Sequence, residues 1–262
     1  MSERSLLGLG QGLFVLLLCL CVGPASGQES DKENHPSLGD KNVPLTTTLP
    51  DAPSANQETG EGQQTKRILG IMPNFRAVSV DTHLPPETPR EKFVGFAKDS
   101  FDYSSFIWIG ALAGVSQLQN STPEFGHGAA GFGRYYWHAF ADQTNENLWV
   151  GFLLPVAFRQ DPRYYTLGRR NANGHNGPLK RTGYAVSRLF VTRTDSGGNT
   201  FNVSEVGGSG AAAAISNLYY PSPDRTWTKT YQRWLLNVSL DGVTLVFREF
   251  WPDINYAIFH RK

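Results

Sequence analysis

The chain changes character at about residue 66, and that break decides what can fold. Residues 28–66 carry seven acids (Glu29, Asp31, Glu33, Asp40, Asp51, Glu58, Glu61), three lysines and no aromatic side chain. Such a stretch cannot bury enough apolar surface to offset the entropy of ordering it, so a disordered acidic spacer is expected there. All six tryptophans lie beyond it, and residues 67–262 hold 20 Lys and Arg against 15 Asp and Glu. That part reads as a single domain, 67–262, with no second linker. Over the whole chain the formal net charge is only +1, which gives no bulk-charge argument for a nucleic-acid partner.

The first residues read as an address. Arg4 precedes an apolar run from Leu6 to Val22, followed by Ala25 and Gly27 in a small-x-small pattern. This predicts a signal peptide over 1–27, cleaved before Gln28, and a product that is exported and periplasmic or envelope-associated. The run falls short of the roughly 20 residues an anchor helix needs. Both cysteines, Cys19 and Cys21, lie inside it, so the expected mature chain has neither a disulfide framework nor a cysteine zinc site.

Hydrophobic spacing in 67–262 predicts a mostly α fold, a bundle of about five to seven Gly/Ala-rich helices. Thr88-Pro89-Arg90-Glu91 is a capping-box start with proline at the first helical position. The next helix runs from Tyr103 to about Asn120. A third spans His127 to Asp142, with Ala129, Phe132, Tyr136 and Phe140 as its core stripe and the opposite face toward solvent. Leu148–Phe158 is a shorter apolar piece broken by Pro155, and Leu179, Gly183, Val186 and Phe190 mark a further helix. Asn202 and Glu205 form a second capping box before the small-residue run Gly207–Ala214. Residues 234–247 admit two readings. One is a helix with Leu236, Leu240, Val243, Phe247 and Phe250 as its stripe, ended by Pro252. The other is a hairpin turning at Asp241-Gly242. The stripe persists through the Asp-Gly pair, which favours the helix. Trp227, Trp234 and Trp251 are expected in the core.

Two groups of side chains can carry chemistry. His127, Arg134, His138 and Asp142 share one helical face, and a histidine beside a carboxylate can act as a general base or metal ligand. The weak catalytic candidates are therefore His127, His138 and Asp142. The second group is Arg159, Arg163, Arg169 and Arg170 with neighbouring tyrosines, extended by Arg181, Tyr184 and Arg188. Guanidinium groups grip phosphate in bidentate fashion, so this set is a candidate surface for anions or a membrane. No GxSxG, Walker or GxGxxG pattern is present, and no cofactor or metal is expected. Tyr103–Pro123 is uncharged for 21 residues, but its second half, SQLQNSTP, is too polar for the centre of a bilayer.

The strings FADQ (140–143), QDPRYY (160–165), SRLFVTRTDSGG (187–198), AAAAISNLYYP (211–221) and REFWPDI (248–254) resemble a family of uncharacterised bacterial exported proteins. The resemblance implies a secreted helical domain and supplies no active site. Together these readings predict a non-enzymatic envelope protein that contacts a membrane surface or an envelope protein partner through the Arg/Tyr patch, with no nucleic acid involved. The alternatives are a hydrolase or metal-dependent enzyme using His127, His138 and Asp142, and a small integral membrane protein.

Overall fold

The computed structural model describes residues 67, 68, 72–74, 76–171 and 174–259, all within one unit, Thr59–Lys262. The leader and the acidic spacer read from the sequence lie outside these residues. The fold is mostly helical, as the periodicity indicates.

Helix α1 (Pro89–Phe101) begins as its sequence dictates. The Glu91 amide donates to Thr88 Oγ1 at 3.3 Å, and the Thr88 amide donates to Glu91 Oε2 at 2.7 Å, which closes the box. Thr88→Ala is expected to cost about 1 kcal/mol, read as a lower urea midpoint at unchanged m-value. Asp102 ends α1 and caps α2 (Tyr103–Leu118) by accepting from the Ser104 amide. The Arg67 guanidinium grips both Asp102 oxygens, at 2.9 and 2.6 Å, and holds this carboxyl far below the usual carboxylate range.

Helix α3 (Gly128–Leu148) runs without a break through a π turn (Trp149–Leu153) into the short α4 (Leu154–Ala157). The separate apolar piece expected from Pro155 is therefore a continuation of α3. Proline has no N–H to return to the carbonyl of residue 151. The turn widens instead, Leu154 N bonding to Trp149 O. Arg76 Nη1 reaches the Gly151 carbonyl at 3.4 Å.

Short strands follow. β1 (Ala77–Ser79) pairs in parallel with β3 (Tyr164–Thr166), and β2 (Gln160–Asp161), β4 (Val191–Thr194) and β5 (Asn199–Phe201) form a three-stranded sheet in the order β2-β4-β5. Helix α5 (Pro178–Ser187) precedes β4, and α6 (Val203–Ser216) follows β5.

Helix α7 (Trp227–Phe259) settles the ambiguity over 234–247 in favour of the helix. Gly242 is buried because α7 lies close to Leu189; a Cβ there would sit 3.1 Å from Leu189 Cδ1. Pro252 does not end the helix. Arg181 holds both sides of the proline, donating to the Glu249 carbonyl at 2.5 Å and to the Asp253 carboxylate. Trp251 is buried and Trp234 donates to the Val206 carbonyl, but Trp227 is 90% exposed and belongs to no core.

Polarity is the unexpected property of this bundle. Among the described residues, buried polar and charged side chains outnumber buried apolar ones. The one well-formed apolar cluster is Ala113, Phe125 and Tyr135, flanked by Tyr136 and Tyr220. On α3 the inward positions are Gly131, Tyr135, His138 and Glu146, while Phe132 and Trp137 are exposed. Of the face expected in solvent, His138 is buried and Asp142 half-buried while His127 and Arg134 are exposed; of the stripe expected inside, Ala129 and Phe132 are exposed and Tyr136 and Phe140 half-buried.

Candidate functional site

His127, His138 and Asp142 do not meet in a cleft. His127 is exposed at the N-cap of α3, three turns from His138. His138 is buried in an aromatic nest, its ring 4.2 Å from Phe125, 4.1 Å from Trp137 and 4.9 Å from Tyr220. Its Nδ1 faces the Arg134 carbonyl at 2.7 Å and its Nε2 the Tyr219 carbonyl at 3.2 Å, so neither nitrogen is open to a ligand. Asp142 is occupied as well. Ser216 and Tyr219 donate to Oδ1, and Tyr220 donates to Oδ2 at 2.7 Å. Burial, with the Asp142 charge second, pushes both tyrosine hydroxyls above their ordinary range. This network ties α3 to the chain after α6. Among the described residues no group of three or more His, Cys, Asp or Glu is placed to hold a metal ion.

The arginines divide into structural and exposed members. Arg163 lies against Asp161, with Nε at 2.9 Å and Nη2 at 2.8 Å, and donates to the Pro85 carbonyl. Arg181 is almost fully buried; its Nε donates to Glu249 Oε1 at 2.9 Å. Glu249, 0% exposed, also accepts from the Tyr164 hydroxyl and from the amides of Leu167 and Gly168, each at 2.9 Å. Tyr184 donates to the Tyr165 carbonyl at 2.6 Å and carries the Arg188 guanidinium 4.9 Å over its ring. Arg170 begins a two-residue strand, Arg170–Asn171. Arg159 and Arg169 are exposed, Arg169 lying 3.9 Å from Asp253. Arg163 and Arg181 of the proposed anion patch are therefore internal, Arg163 held by Asp161 and Arg181 joining α5 to α7. A cleft of about 50 Å³ beside Arg163 and Arg193 is also walled by Asp161 and Asp195, a poor setting for an anion.

What the bundle presents outward is apolar. On α2, Ile107, Ala111, Val115 and Leu118 fall at helical spacing and all are exposed, Ile107 at 61% and Leu118 at 88%. Tyr103, Phe106 and Trp108 flank this stripe. The surface continues through ring contacts. Phe140 of α3 stacks on Phe106 at 5.5 Å and meets Phe101 of α1 at 6.1 Å, and exposed Phe132 lies 6.0 Å from Tyr136. The opposite side of α2 buries only Ser104, Ile109 and Ala113. Contiguous exposed surface of this kind marks a contact site for lipid or protein.

Three interior carboxyl groups have no counterpart in the sequence-based expectations. Glu205 was expected to close a capping box; Asn202 Oδ1 does accept from its amide at 3.0 Å, but the Glu205 side chain is buried instead. There it meets Asp241, which the sequence offered as a turn residue, and Glu146 joins them from α3. A carboxylate at core spacing on α3 was the available signal, but the helix expected from the sequence ended at Asp142, before Glu146. No protein-family model, curated protein or solved structure matches this chain.

Proposed function

We propose that this protein is an exported, non-enzymatic envelope module that rests on a lipid surface through the apolar face of α1, α2 and α3. The observation that carries the reading is the exposed stripe Ile107, Ala111, Val115 and Leu118, inside a stretch with no charge from Tyr103 to Pro123. Tyr103 and Trp108 beside the stripe have the amphipathic character that favours the headgroup boundary. Helix α2 has 16 residues and is therefore about 24 Å long, shorter than the roughly 30 Å hydrocarbon core. Among the described residues no helix is long and apolar enough to cross a membrane. Such a helix lies along the surface with its apolar side in one leaflet. The apolar run Leu6–Val22 and the small residues before Gln28 support export. The contact passes through α2, and the exposed Arg159 and Arg169 of the Arg/Tyr set add a cationic rim.

Flotation with zwitterionic and with anionic vesicles tests the reading. Ile107, Trp108 and Leu118 insert about 1–2 kcal/mol of apolar surface each, so replacing all three by serine is expected to lower partitioning about 100-fold or more. All three are exposed, so the fold should tolerate the change. Unchanged flotation would contradict the proposal. So would a protein that ignores vesicles and instead forms a dimer which the same substitutions dissolve, because that assigns the face to a second copy.

A further inference from the structure

The helices that cross the middle of the bundle each bring a carboxyl group to one place: Glu146 from α3, Glu205 from α6 and Asp241 from α7. The Glu205 and Asp241 side chains face each other within hydrogen-bonding reach. Two carboxylates only accept, so a hydrogen bond between them needs a proton on one of them. The charged neighbours are few. Arg248 is the cation that faces Glu205 and Asp241, and Asp142 adds a further negative charge toward Glu146. Burial raises all three carboxyls. The Asp241 charge adds to the effect at Glu146 and Glu205, while the Ser209 hydroxyl and Asn237 amide facing Glu146 draw it the other way.

A second observation comes from atoms rather than charges. Ser209, one turn after Glu205 on α6 and facing Glu146, is 0% exposed, and its Oγ makes no well-formed hydrogen bond. Glu146 Oε1, Glu205 Oε1 and Arg248 Nε are buried without partners as well. Buried polar atoms are almost always satisfied in folded proteins. A carboxylate has no proton to give, so protons on Glu146 and Glu205 supply donors that a hydroxyl oxygen such as Ser209 Oγ can accept.

We propose that Glu146, Glu205 and Asp241, with Ser209, form a buried proton-binding site that holds α3, α6 and α7 together when loaded and loosens them when emptied. The site is separate from the lipid-facing stripe of α2 and stands or falls without it. The sign follows from linkage. A carboxyl that holds its proton more tightly in the folded than in the unfolded chain leaves stability intact below the unfolded pKa. Stability is then lost as pH rises from the ordinary carboxylate range through the folded-state pKa. Each retained proton raises the unfolding equilibrium constant by up to about tenfold per pH unit in that window.

The test is chemical denaturation of the full-length protein between about pH 5 and about pH 8, with Glu205→Gln beside the wild type. The expected result is a wild-type unfolding constant that rises with pH, and a variant whose rise is flatter by about one proton. A wild-type constant that does not rise with pH, or a variant with the same slope, would overturn the proposal. If Glu205→Gln does not fold, infrared titration of the wild type decides. A protonated-carboxyl band present at neutral pH and fading as pH rises supports the site, and its absence at neutral pH refutes it.

Discussion

Replacing Arg181 with alanine is expected to destabilise the folded unit by about 3–5 kcal/mol, the cost of leaving a buried charge without its partner. Arg181 is the hub of the α5–α7 junction. Its Nε and one Nη serve the side chain and carbonyl of Glu249, its other Nη serves Asp253, and its guanidinium lies 4.3 Å over the Phe250 ring. Without it the Glu249 carboxylate would keep Tyr164 and two backbone amides but lose its only cation within salt-bridge distance among the described residues. Pro252 would lose the clasp that spans it. Domain stabilities are typically about 5–15 kcal/mol, so a large share of the total is at stake. Arg169→Ala is the contrasting case. Arg169 is 70% exposed and 3.9 Å from the same Asp253, and its loss is expected to stay within about 0.5 kcal/mol. Urea unfolding of the two variants side by side measures the difference.

A pair of glycines two residues apart on α3 gives the second large effect. A Cβ at Gly131 would lie 2.4 Å from the Gly126 carbonyl oxygen, a backbone atom in the turn that brings the chain into α3. The Gly126 amide donates to the Pro123 carbonyl at 3.1 Å and Arg134 donates to the Phe125 carbonyl at 2.7 Å, so that turn has little freedom to retreat. Gly131→Ala is therefore expected to cost about 2–3 kcal/mol through overpacking. Gly133 has nothing within 4 Å of its Cβ position, and Gly133→Ala is expected to stabilise by about 0.5–1 kcal/mol through helix propensity. Thermal unfolding of both variants reads the opposite signs directly.

The elements of this fold were legible in the sequence because they depend on local spacing and caps. Thr88 and Glu91 cap α1, and α2 and α5 lie where their apolar positions place them. The orientation of the helices was not legible. The usual inference puts the apolar stripe inward, yet α3 turns His138, Asp142 and Glu146 into the bundle and leaves Phe132 and Trp137 outside. Spacing gives the angle between the two faces of a helix and says nothing of which face meets the core. The same limit explains the arginines. Arg163 and Arg181 read as a surface patch because their partners, Asp161 apart, lie far along the chain. Glu249 is 68 positions from Arg181, and no local pattern announces that pairing. Glu205 failed for a related reason. Asn202 caps α6 as expected, but a carboxyl partner 36 positions away drew the Glu205 side chain inward.

Spin labels placed one at a time at 107, 111, 115 and 118, with Cys19 and Cys21 replaced, test most directly whether this face meets lipid. With vesicles present, the account predicts that all four labels become accessible to oxygen and shielded from a water-soluble relaxation agent. Labels that the aqueous agent reaches equally with and without vesicles would contradict it.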